Sequence, residues 1–167
     1  TVPTPTYPVL LYGSVDIEYP DARIFFVPDI MLGRRVETMA LTNGFDYSFK
    51  GMSSLFQSHD LVVGNFEGVV PRTHIPTPEL TTRFSVRHEF MGELRAQGFD
   101  VLSLANNHAL DFGEDGYRDT IETCRRYELT CVGHPIRTDE NSVTYHTIGD
   151  TRIGILMLHA LYGVENQ

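Results

Sequence analysis

GFDVLSLANNHALDFGEDGYRDTIE, residues 98–122, carries the organisation of the whole chain in one stretch. Val101–Ala105 is a short, nearly all apolar run, as expected of a strand buried on both faces. It runs straight into Asn106-Asn107-His108, and Asp111 follows three residues later. From Asp115 to Tyr127 the apolar positions Tyr117, Ile121 and Cys124 recur at helical spacing, so the stretch reads as strand, polar turn, helix.

The same unit recurs upstream. Arg23–Val27 is an apolar run that meets Pro28-Asp29, and Asp60–Gly64 is another that meets Asn65-Phe66-Glu67. Helices are expected at Arg34–Leu41, at Phe49–His59 with Met52, Leu55 and Phe56 on one face, and at Glu89–Gln97, which Gly98 terminates. Thr130–Gly133 reads as a fourth strand and Thr82–Val86 as a short one. Val143–Ile148 and Arg152–His159 flank Gly149-Asp150 as a hairpin. Apolar strands alternating with helices indicate an α/β fold with a sheet covered on both faces, and the terminal hairpin adds antiparallel character. Residues 1–20 hold four prolines and read as an extended lead-in, with Val9–Tyr12 docking on the domain edge. Residues 21–167 form the domain proper.

Composition narrows the partners. At 41% hydrophobic and 21% charged, the 167 residues suit one ordinary globular domain. A net charge of −9 argues against nucleic acid, and an anionic substrate would need local positive charge or a bound metal. No apolar run approaches the roughly 20 residues of a membrane helix. The first residue is Thr1, so an export signal or membrane anchor lying outside this chain is compatible with it. Cys124 and Cys131 are expected as two buried thiols, because alternate packing faces seldom align so close a pair.

In open α/β sheets, sites form at the carboxyl ends of strands, so the three polar strand ends can converge on one crevice. Carboxylates and amide carbonyls suit hard divalent cations, and a histidine nearby binds metal or moves a proton. Each residue also has a plainer reading. Asp29 is equally a helix cap, Asn65 and Glu67 turn and surface residues, Asn106 and Asn107 turn formers, and His108 a structural histidine held by Asp111.

The segments FVPDIMLGR (26–34), DLVVGNFEG (60–68) and GFDVLSLANNHALDFGEDGYRDTIE (98–122) resemble the bacterial capsule-synthesis CapA family, also called PGA_cap. Its usual strings read approximately GDIMLGR, NLEGP and ANNHxxDxG, in this order. The resemblance implies a fold like that of calcineurin-type metallophosphatases, a sandwich of β-sheets flanked by helices. It also implies an extracytoplasmic, cell-surface or membrane-associated setting and a link to poly-γ-glutamate capsules. Residue by residue, Asp29 would be the first metal ligand, and Asn65 or Glu67 would stand at the second acidic motif. Asn107 would offer its carbonyl to the metal. His108 would protonate the leaving oxygen, oriented by Asp111, and Arg34 is either an anion contact or an ordinary helix-surface arginine.

The implied cofactor is a divalent ion (Mn, Mg or Zn). The implied partners are a polyanionic polymer or phosphoester substrate and a capsule-synthesis complex. The expected function is a metal-dependent, phosphoesterase-like hydrolase of capsule synthesis; the alternative is a non-catalytic member of an assembly or export complex. Three departures bear on the metal. Pro28 stands where the family has Gly, Met31 where the phosphatase superfamily has His, and Asn65 where it has a bridging Asp. The expectation is therefore a single or weak site. The superfamily draws further histidines from its second half, and Gly133-His134-Pro135 is not that motif, so the domain's C-terminal part is expected to be absent from this chain. His159 ends an apolar strand and either faces the crevice or, the favoured reading, is structural or solvent-facing; His59, His74, His88 and His146 are expected to be surface residues.

Overall fold

The computed structural model describes residues 22–78 and 80–160; the expected lead-in and the docking of Val9–Tyr12 lie outside them. Four parallel strands stand in the order β1 (Ile24–Ile30), β2 (Leu61–Phe66), β3 (Val101–Ser103), β4 (Thr130–Val132). Parallel neighbours need crossovers. These are made by α1 (Arg34–Asn43) with α2 (Ser53–Gln57), by α3 (Glu89–Gln97) and by α4 (Gly113–Arg126). A separate antiparallel hairpin, β5 (Val143–Ile148) and β6 (Thr151–Leu156), turns at Gly149-Asp150 as expected.

Alternation along the strands divides the core in two. Val62 and Leu102 enter the larger cluster with Phe56, Phe90, Leu94, Phe99 and Cys124. Leu61, Val63 and Val101 point the other way and meet Ile155 of the hairpin, with Ile148, Ile153 and Met157 beside it. Helices thus cover one face and the hairpin the other, an α/β arrangement consistent with part of a metallophosphatase-like sandwich.

Several expectations are corrected. β1 continues through Pro28-Asp29 instead of ending before them, and its register with β2 shifts between Val27 and Asp29. Proline has no N–H for the ladder, and β1 is an edge strand where that loss is tolerated. Being at the edge also leaves Phe26 63% exposed, against the reading of a fully buried strand. Phe49–His59 is not one helix: a 3-10 turn ends at Phe49 and α2 begins at Ser53, separated at Gly51 with its φ of +86°. Of its expected apolar face, Phe56 is buried while Met52 and Leu55 are exposed. The expected strand at Thr82–Val86 is only a single parallel bridge between Val69 and Ser85.

The cysteines are a disulfide, not two thiols. The chain leaves α4 through Tyr127 and Glu128 and at once enters β4, with Leu129 N–H bonded back to the Cys124 carbonyl at 2.9 Å. This tight reversal brings the Cys124 and Cys131 Cα atoms to 5.9 Å, within bridging range, although they lie on different elements.

The connection after β4 is held by His134, 4% exposed. Its Nδ1 accepts from the backbone N–H groups of Ile136 and Arg137, both at 3.1 Å, and its Nε2 lies 3.3 Å from Glu114 of α4. Burial pushes the imidazole's pKa down, the Arg137 charge adds to this, and Glu114 and Asp139 oppose it. The folded pKa is below the unfolded value of about 6.5. As pH falls through 6.5 the unfolded chain takes up the proton first, so stability present above that pH is lost progressively until the folded pKa is passed. Melting temperature should therefore fall between pH 7.5 and 5.5 more steeply in the wild type than in His134→Asn, whose amide oxygen accepts without titrating. Parallel curves for the two proteins would refute this role.

Candidate functional site

The strand pleat decides which groups meet. Val63, Asn65 and Glu67 step along one face at intervals of two, as do Val101, Ser103, Ala105 and Asn107. All except Val101 line a cleft of about 660 Å³ on the hairpin side, between the sheet and Ile153–His159. Apolar strand residues form much of its wall, and Asn65, Glu67, Asn106, Asn107 and His159 supply polar groups.

A hydrogen-bonded line crosses the three strand ends. The Asn65 amide donates to Asp29 Oδ1 at 2.8 Å, and its own carbonyl accepts from the Asn106 amide at 3.0 Å. Asn106 is buried; it also donates to the Phe66 carbonyl at 2.9 Å and accepts from the His108 backbone N–H at 3.0 Å. His108 Nδ1 then meets Asp111 Oδ2 at 3.0 Å, and the same carboxylate oxygen accepts from Phe84 N–H at 2.6 Å. The imidazole stacks on the Phe84 ring at 4.1 Å. The shift at Pro28 places Asp29 opposite Asn65 in the ladder, which makes the first link of the line.

Glu67 belongs to the same neighbourhood. Its carboxyl is held above the ordinary range, first by burial and then by the charge of Asp29, with His108 acting in the opposite sense. Two carboxylates that repel across one site favour a cation between them. Among the described residues no three His, Cys, Asp or Glu side chains form an ion-holding group. The donor set of Asp29, Glu67 and the Asn107 carbonyl is all oxygen, the ligand chemistry that hard divalent cations take. Asn65 is bonded through both ends of its amide, donating to Asp29 and accepting from Asn106.

The structure thus brings Asp29, Asn65, Glu67, Asn107, His108 and Asp111 to one region. Asp29 caps no helix, since α1 begins at Arg34 with Gly33 as its N-cap and no side-chain cap. Arg34 also meets Phe84, its guanidinium 4.7 Å from the ring centroid. Two histidines depart from expectation. His159 lines the cleft with Glu67 and Asn107; its place at the end of the apolar run after β6 was the available signal. His74 is not a surface residue: it is largely buried between Glu37 and Ser85.

The family model described as "Bacterial capsule synthesis protein PGA_cap" matches residues 23–167. "Capsule biosynthesis protein CapA" of Bacillus anthracis is 32% identical over 134 residues, covering 78% of this chain and 33% of that protein. "PGA biosynthesis protein CapA" of Bacillus subtilis (strain 168) is 31% identical over 134 residues, covering 78% of this chain and 35% of that protein. The chain spans about a third of the length of these curated relatives.

Proposed function

Since the chain belongs to the bacterial capsule synthesis family PGA_cap, we propose that its strand-end site is a metal-assisted hydrolytic site serving capsule-polymer synthesis. The observation that carries this reading is the unbroken line from Asp29 through Asn65, Asn106 and His108 to Asp111, built from three strand ends far apart in sequence. A network needed only for packing would not leave Asp29 exposed at one end, nor place Glu67 where Asp29 repels it.

Asp29 and Glu67 would hold a divalent cation with help from the Asn107 carbonyl. When bound, the ion would polarise a phosphoryl or carbonyl oxygen of the substrate. The chain's own residues supply the rest. Asn65 fixes the Asp29 carboxylate, Asn106 fixes the backbone that carries His108, and Asp111 together with the Phe84 ring fixes the imidazole plane. With Nδ1 directed at Asp111, Nε2 is the atom left to deliver a proton to the leaving oxygen or nitrogen. A phosphoester or a γ-glutamyl amide fits this chemistry. The Cys124–Cys131 disulfide favours an oxidising, extracytoplasmic setting.

A second reading, a non-catalytic part of an assembly or export complex, is favoured by Asn65, an amide where an acid would add a ligand charge. The intact protein, stripped with chelator and resupplied with Mn²⁺, Mg²⁺ or Zn²⁺, should hydrolyse a phosphodiester or a γ-glutamyl amide only with the ion present. Asp29→Asn should bind the ion more weakly and lose that turnover. Silence with every ion, together with ion affinity unchanged in Asp29→Asn, would establish the second reading.

A further inference from the structure

Arg34, Arg35 and Arg87 line a second cleft, of about 460 Å³, between the start of α1 and residues 76–78. We propose that this cleft binds oxyanion groups, carboxylate or phosphate, on a substrate whose reacting bond lies at His108. Three guanidinium groups in one cleft reverse the sign of a chain carrying −9 overall. Among the described residues Glu37 is the only acidic one lining the cleft; its Oε1 already accepts from Arg87 Nε at 2.8 Å and meets His74 Nε2 at 2.7 Å, and Arg87 also lies 3.8 Å from Glu89 outside the lining.

Arg34 is held for this task more firmly than a surface arginine. Its guanidinium lies over the Phe84 ring and donates to the Thr81 carbonyl, while its buried Nε has no hydrogen-bond partner. Its φ of +54° is unusual for a non-glycine residue and is kept only where the surroundings enforce it. Such a planar fork, fixed in advance, matches carboxylate and phosphate oxygens two at a time. Phe84 joins the two sites: Arg34 covers its ring at 4.7 Å, and His108 stacks on it at 4.1 Å. Arg34, at the cleft, and His108 thus share one aromatic neighbour.

The inference rests on the hydrolytic reading for the role of His108, but binding in the arginine cleft is measurable without turnover. Calorimetric titration of the intact protein would use a glutamate oligomer, inorganic polyphosphate and a neutral glutamine oligomer. One or both anionic probes should bind, with affinity falling as salt rises, and the one that binds identifies carboxylate or phosphate as the group taken. Arg35→Glu, at an exposed position, should weaken that binding about tenfold or more, the scale of one charge-assisted contact, and Arg35→Lys should restore part of it. His108→Ala should bind as the wild type does. Equal binding of the neutral oligomer, no binding of either anion, or an unaltered affinity in Arg35→Glu would overturn the proposal. Intact binding without hydrolysis would instead sink the catalytic reading and leave this one standing.

Discussion

His108→Ala should lower turnover by roughly two to four powers of ten, the contribution of a well-placed general acid, while the protein stays folded. The backbone link from His108 N–H to Asn106 survives the change, and so does the bond from Phe84 N–H to Asp111. What disappears is the ring between Phe84 and the reacting bond. The leaving group separates chemistry from structure. An alkoxide or amine, which needs the proton, should suffer the full loss, whereas a nitrophenolate, which departs without it, should suffer far less. Imidazole in the buffer should restore part of the activity toward the poor leaving group. Equal losses for both substrates, with a lowered melting temperature, would mark His108 as a structural histidine.

Glu37→Ala should cost about 2–3 kcal/mol of folding stability, the upper part of the range for leaving buried hydrogen-bond partners unsatisfied. Glu37 is 4% exposed on α1, and a single oxygen serves both Arg87 and His74. His74 continues the chain to the buried Ser85 hydroxyl at 2.8 Å, and the Ser85 backbone exchanges hydrogen bonds with Thr77 in both directions. The carboxylate therefore ties the long segment between β2 and α3 to the helix. Its loss leaves Arg87 only its longer contact with Glu89, at 3.8 Å, and the histidine half-bonded. Urea unfolding should show the drop, and Glu37→Gln, which keeps an acceptor but not the charge, should fall between. A change in Glu37→Ala below about 1 kcal/mol would place that segment's anchorage elsewhere.

These two residues also show what was readable beforehand. The α/β class and the convergence of the strand ends followed from apolar runs of strand length broken by polar residues, a signal local to each segment. His108 and Asp111, three residues apart, share that locality. Glu37, His74 and Arg87 are separated by tens of residues and leave no periodic trace, so His74 looked like a surface residue. The helix expected at Phe49–His59 failed at Gly51, where a positive φ overrode an apolar spacing that suited a helix. The disulfide was hidden because it depends on how sharply the chain reverses after α4. Asp29 was misplaced by a few residues because a proline ordinarily ends a strand, and only an edge position with a shifted register lets one remain inside.

That edge proline has a protective consequence. Among the described residues β1 is the rim of the sheet, and a long apolar rim is where a second molecule adds strands and aggregates begin. With Pro28 supplying no donor and the ladder stepping out of phase beside it, an incoming strand meets a gap in the hydrogen-bond template, close to the exposed ring of Phe26. The kink that sets Asp29 opposite Asn65 thus also keeps that rim from sticking to its own kind.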